Sequence, residues 1–335
     1  MKPAPILRRL TLKTRPSGGN SLRIWPARLK TLGVVSKNNF ATEATLETKP
    51  YKLHKLEQSP ATTVSLTRED AIKYYTQLHT VRRMETTAGN LYKDKIVRGF
   101  CHLYSGQVPL GVGIAYALKY KGTDGVCVAL YGDGASNQGQ VFEVYNMAKL
   151  WNIPCIFVCE NNGYGMGTSA ERSSASTAYY SRGDYVPGIW VDGMDVLAVR
   201  ECFRYAIDYC GSGKGPLVIE AATYRYSGHS MSDPGTSYRT RDEIQEVRQT
   251  RDPITSFKEK ITSANLVSAD EIKKIDADIR ATVDEATKQA KADKEIGLDE
   301  LSADIYAHNL EEKIRNVSLF TPLVHKRIGP AVNMN

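Results

Sequence analysis

Apolar and polar positions change period several times along this chain, and each change marks an element. Two short unbroken apolar runs, residues 126–130 and 155–159, have the length and composition of strands buried on both faces. Between them, residues 140–151 carry apolar side chains at three- and four-residue spacing, which predicts a helix. Strand, helix and strand in that order predict a crossover unit whose two strands are parallel neighbours ending on the same sheet edge. The pattern predicts further helices over 67–87, 112–121 and 200–209 and a strand over 216–226. Thr67 reads as the cap of the first helix, with Asp70 three residues on.

The remaining stretches lack that regularity. Residues 43–66 read as an extended arm, and the Ser- and Gly-rich stretch 227–240 reads as a long loop at the sheet edge. From residue 242 onward the chain is charged and helical. Residues 270–291 form the clearest amphipathic run, a solvated helical face. The expected organisation is therefore a leader (1–42), the arm (43–66), an α/β domain with a mostly parallel sheet flanked by helices (67–241), and a helical C-terminal region (242–335).

Charge changes the reading at one end only. Nine Lys or Arg and no Asp or Glu fall in residues 1–42, while the rest of the chain holds 35 basic and 37 acidic residues. An Arg-rich, acid-free start bearing hydroxyl residues is the pattern of a mitochondrial transit peptide, cut near Phe40-Ala41, which directs the chain to the matrix. A basic nucleic-acid-binding arm is the rival reading, but the body shows no basic stripe and no nucleic-acid motif. No run reaches the roughly eighteen apolar residues of a membrane span. The six cysteines show no zinc spacing. Cys127, Cys155 and Cys159 fall in predicted strands as small core residues, a usage that fits a reducing compartment.

The chemistry concentrates where the two predicted strands end. Asp133 follows the first in Tyr131-Gly132-Asp133-Gly134, and Asn162 follows the second in Glu160-Asn161-Asn162. A carboxylate and an amide oxygen on one sheet edge are hard ligands suited to Mg2+, which shares its sphere with phosphate oxygens. Glycines beside the carboxylate let backbone approach a phosphate. The Gly163–Thr168 stretch reads as a glycine-rich loop able to add a carbonyl ligand.

This pairing, with its gap from Ala135 to Glu160, resembles the thiamine diphosphate motif. Residues 131–160, Val191-Asp192-Gly193-Met194-Asp195 and 224–241 are similar to the α subunits of pyruvate dehydrogenase E1 components, within the thiamine diphosphate-dependent 2-oxo acid dehydrogenases. The stretch Gly228-His229-Ser230-Met231-Ser232-Asp233-Pro234-Gly235 is the most specific part. It favours the pyruvate enzymes over the branched-chain and acetoin relatives.

The resemblance implies a thiamine diphosphate-binding fold and oxidative decarboxylation of pyruvate with acetyl transfer to the lipoyl domain of an E2 partner. The cofactor supplies a nucleophilic carbon and an electron sink. The resemblance also implies an α2β2 heterotetramer in which the β subunit supplies the activating glutamate, and control by a kinase and a phosphatase. It assigns Asp133, Asn162 and the Tyr164 carbonyl to Mg2+, and the Gly134 and Ala135 backbone to the diphosphate. His229 and His102 become active-site histidines, and Ser169, Ser230 and Ser237 phosphorylation sites, where added negative charge would repel a carboxylate substrate.

Two departures from the family pattern stand out. Ser227 occupies a position where relatives commonly carry a histidine. At Gln107-Val108, flanks that relatives separate by several dozen residues are joined. The absent block carries a Tyr-Arg pair and a glycine-rich segment that contact cofactor and substrate in the family. The alternative function is therefore a non-catalytic subunit that assembles with the β partner.

Overall fold

The computed structural model describes residues 40–93, 108–230, 233–294, 302, 303, 305, 312–315 and 323–325. His102, Gln107 and residues 1–39 of the leader lie outside them.

The chain starts with strands β1 (Glu43–Glu47), β2 (Lys52–His54) and β3 (Thr63–Thr67), then helices α1 (Arg68–Lys93) and α2 (Val108–Tyr120). The crossover unit follows as β4 (Cys127–Gly132), α3 (Gly139–Leu150) and β5 (Cys155–Asn161). A short hairpin, β6 (Tyr164–Gly165) with β7 (Thr168–Ser169), leads into the single-turn α4 (Ala170–Ser173). Then come β8 (Gly188–Asp192), α5 (Val196–Tyr209), β9 (Leu217–Ala222), α6 (Arg241–Arg251), α7 (Pro253–Ser263) and α8 (Ala269–Ala292).

Five strands form one sheet in the order β2-β8-β9-β5-β4, with β4, β5, β9 and β8 mutually parallel and β2 antiparallel on its edge. β5 sits inside the sheet and Cys155 to Cys159 are all buried, which is why its apolar run is unbroken. Among the described residues, β4 is the other edge strand. α2 and α3 cover one face through Val112, Ala115, Val144 and Ala148. α5 covers the opposite face through Ala198, Cys202 and Ala206. The fold is α/β, with a mostly parallel sheet flanked by helices.

Local chemistry sets the helix starts. The Thr67 hydroxyl accepts from the Asp70 amide (3.2 Å), as its position predicts. Asp195 caps α5 by accepting from the Leu197 and Ala198 amides, and Asp252 caps α7, whose first residue is Pro253. α2 starts four residues before its expected position, because a proline costs nothing in a first turn.

The structure corrects two expectations and details a third. The segment 43–66 is extended but is not an arm: β1 pairs with β3, β2 joins the main sheet, and Leu66 is fully buried. The glycine-rich stretch 163–168 folds into most of the β6–β7 hairpin, with Met166 and Gly167 between its strands. The boundary at 241/242 separates nothing, since the compact unit runs over residues 38–292. Tyr75, Ile254, Phe257, Ile261 and Ile272 share one core with Val64 and Leu66. Arg82 pairs with Asp252 and Arg68 with Glu271, while Tyr75 (2.9 Å) and His79 (2.7 Å) both meet Asp276. An amphipathic helix needs a surface to bury its apolar stripe, and α7 and α8 find it on α1. Beyond residue 292, the described residues include an antiparallel bridge of Lys313 with Val324.

One backbone approach offers a direct check. Gly188 opens β8, and a methyl group there would overlap the carbonyl of Tyr180. Gly188→Ala is expected to cost about 3 kcal/mol or more. Gly139→Ala, at the open start of α3, should change stability by less than about 0.5 kcal/mol. Thermal unfolding of both variants reads the difference, and equal midpoints would refute the packing argument.

Candidate active site

The β4–β5 ladder sets Gly132 opposite Glu160, so the two strands deliver Asp133 and the Asn161-Asn162 pair to one edge. Asp133 is 2% exposed, and its Oδ2 is buried without a hydrogen-bond partner. Burial pushes its carboxyl above the ordinary range. The backbone amides of Asp133, Gly134 and Asn162 and the charge of Arg225 act in the opposite sense without overcoming it. The Asn162 backbone is thus close enough to act on the carboxylate. The Asn162 Oδ1 accepts from the Tyr164 amide (3.2 Å) in a local turn that retains a second lone pair.

The hairpin packs onto the Gly-Asp-Gly turn without side chains. A Cβ built on Gly134 would lie 2.9 Å from the Gly165 Cα, and one on Gly165 would lie 3.1 Å from the Gly134 Cα. Only glycine permits this approach. Ala135 opens the short 3-10 turn after it, where Ser136 Oγ donates to the Asp133 carbonyl (2.5 Å). Among the described residues, no three His, Cys, Asp or Glu side chains converge as a metal cluster. A cation here would therefore rely on one carboxylate plus amide and carbonyl oxygens, a hard-oxygen set that fits Mg2+ with open positions for phosphate.

Several residues at the site went unread in the sequence. Arg225 donates to the carbonyls of Met166 (2.6 Å) and Tyr164 (3.4 Å) and to the Tyr238 hydroxyl (2.9 Å). Tyr238 in turn donates to Asp233 Oδ2 (2.6 Å), which also accepts from the His229 amide (2.8 Å); Asp233 Oδ1 accepts from the Gly235 amide. The Tyr238 hydroxyl and these amides hold the Asp233 carboxyl down at about 2. The chain of contacts runs from the hairpin to the exposed His229. Ser230 is half-buried beside it, Ser237 is exposed on the same loop, and Ser169 caps α4 by accepting from the Arg172 amide (3.3 Å).

Arg239 donates to the carbonyls of Arg225 and Ser227. Its guanidinium lies 5.2–5.6 Å from the rings of Tyr164, Tyr224 and Tyr238. The density of Tyr and Arg over 224–239 was the available signal, but which Arg meets which carbonyl is not written in it.

Comparison with known proteins places this arrangement. The family profile described as dehydrogenase E1 component matches residues 106–298. The chain is 50% identical to the pyruvate dehydrogenase E1 component subunit alpha type II, mitochondrial, of Ascaris suum, covering 90% of this chain and 93% of the relative. It is 50% identical to the probable subunit alpha of Caenorhabditis elegans (85% and 90% covered) and 46% identical to the somatic human subunit (85% and 92%). The Ascaris type II alignment runs over 373 positions yet takes in only 90% of these 335 residues, so about seventy positions have no residue here. With matches of this extent, the chain belongs to the dehydrogenase E1 component family.

Proposed function

We propose that this chain is the α subunit of a pyruvate dehydrogenase E1 component. It acts in the thiamine diphosphate-dependent oxidative decarboxylation of pyruvate, with acetyl transfer to a lipoyl group on an E2 partner. The single observation that carries the cofactor site is the orphaned Oδ2 of buried Asp133 at the edge where β4 and β5 end. A buried carboxylate oxygen with no donor is destabilising unless a cation meets it. Mg2+ held by Asp133, Asn162 and the Tyr164 carbonyl would meet it and bind a diphosphate, which the Gly134 and Ala135 backbone approaches.

When bound, thiamine diphosphate supplies the nucleophilic carbon and takes up the electrons released with CO2. The chain's own groups orient the substrate. The exposed His229, anchored through its amide to Asp233, is proposed to meet the substrate carboxylate or the acetyl carrier. His102 is proposed as a second active-site histidine. Phosphorylation of Ser230 by a kinase, reversed by a phosphatase, would set negative charge next to His229. Ser169 and Ser237 are the other proposed sites. Residues 1–42 are proposed as the matrix-targeting leader of a subunit that joins a β partner as α2β2.

The seventy or so absent positions favour one further reading. β4 is a sheet edge here, and a subunit lacking part of the cofactor cradle would assemble with β yet bind the diphosphate weakly. The deciding experiment is titration of the chain, purified with its β partner, with thiamine diphosphate and Mg2+. Saturable binding with pyruvate turnover supports the catalytic reading. A stable complex with neither supports the impaired one.

A further inference from the structure

Five described cysteines are free thiols, and two of them are neighbours across the sheet. Cys127 opens β4 and is the Cα partner of Cys155 at the start of β5. Residues in register in a parallel ladder point to the same face, and their Cα atoms lie about 4.8 Å apart, inside the range of about 4.4–6.8 Å that a disulfide spans. Both side chains pack into the core under α2. Cys155 is fully buried, whereas Cys127 is partly exposed because β4 is the outer strand. The residue over it is Gly111, which has no side chain; a Cβ built there would lie 3.8 Å from Cys127 Sγ. Small reagents therefore have a path to one member of the pair and not to the other.

The other described thiols do not compete. Cys210 directs its Sγ at the carbonyl oxygen of Cys155 (3.9 Å), not at its sulfur. Cys159 and Cys202 are fully buried, and burial pushes both thiols up, so they stay protonated. Cys127 differs: a hydrogen bond from Cys155 outweighs burial and brings its thiol down to about 7.

We propose that Cys127 and Cys155 form a peroxide-reactive dithiol that closes reversibly into a cross-strand disulfide between β4 and β5. The Cys127 thiolate attacks one oxygen of hydrogen peroxide. An S–O bond forms, the O–O bond breaks, and hydroxide leaves and takes a proton from solvent. The Cys155 thiol then attacks the oxidised sulfur. The S–S bond forms, the S–O bond breaks, and the thiol proton leaves with the hydroxide as water. Two thiols have lost two electrons and one peroxide has become two waters. A dithiol reductant reverses the change. The pair lies at the opposite end of the strands from Asp133 and Asn162.

The test treats the full chain, in complex with its β partner, with equimolar hydrogen peroxide, then blocks thiols, digests and reads masses. The expected product is a linked 127–155 peptide two hydrogens lighter than its parts, lost on adding dithiothreitol. In Cys155→Ser, dimedone is expected to trap the sulfenic acid of Cys127 as a thioether, with loss of water. In Cys127→Ser, Cys155 is expected to remain reduced. In the untreated complex, Cys127 should alkylate at least about 10-fold faster than Cys155. Oxidation of Cys127 without the link in the unsubstituted chain, oxidation of Cys155 in Cys127→Ser, or equal alkylation rates would overturn the proposal. The unsubstituted chain alone decides the linkage if either variant fails to fold.

Discussion

Asp133→Asn is expected to lower affinity for Mg2+ and thiamine diphosphate about 100-fold or more, while leaving the unliganded chain as stable as before or more so. The two effects share one cause. Asp133 is buried with an oxygen that no donor satisfies, and burial alone pushes its carboxyl up. In the unliganded chain burial disfavours the charge of the carboxylate, a penalty the neutral amide does not carry. With the cation present the sign reverses. Removing one partner of a buried charge pair typically costs about 3–5 kcal/mol, and that outweighs the relief. Calorimetric titration of the complex with its β partner measures the first effect, and thermal unfolding without ligand the second. A variant that binds as tightly as its parent would remove Asp133 from the metal site. A variant that binds poorly but also melts early would recast Asp133 as a structural residue.

The second large effect is expected at Arg239, which is 3% exposed among three tyrosine rings. Arg239→Ala removes the donors to the Arg225 and Ser227 carbonyls and leaves a void between the rings. The expected cost is about 3–5 kcal/mol, felt locally. Residues 227–240 should become sensitive to protease and exchange amide hydrogens faster, and pyruvate turnover should fall. The β4–β5 pairing should keep its protection. Arg239→Lys is expected to rescue little, since an ammonium cannot reproduce a planar fork that serves two carbonyls and stacks on aromatics. Unchanged proteolysis of the loop in Arg239→Ala would show that the loop is ordered from elsewhere. The chain of contacts through Arg225, Tyr238 and Asp233 would then be the place to look.

Much of the site was legible because its geometry is local. The buried runs at 126–130 and 155–159 and the helix between them are each a matter of period. Parallel pairing of the two strands follows from the connection, and the end of each strand then names Asp133 and Asn162. The Thr67 cap was legible for the same reason, since cap and amide are three residues apart. Arg225 was not legible. Its partners at Tyr164, Met166 and Tyr238 lie 13 to 61 residues away, and any of several nearby arginines satisfies the same composition. His102, expected in the site, lies outside the described residues.

The sequence by itself determined the class of the fold, the two strand ends where Asp133 and Asn162 stand, and the family. Those depend on hydrophobic period and on motifs a few residues long, which the chain carries wherever it is placed. Tertiary structure alone decided that 43–67 builds strands rather than an arm, that α7 and α8 close the same core as α1, and that β4 is an outer strand. Each of those depends on which distant surface buries an apolar stripe or satisfies a row of backbone groups. Many surfaces are chemically equivalent in the sequence, and only packing selects one.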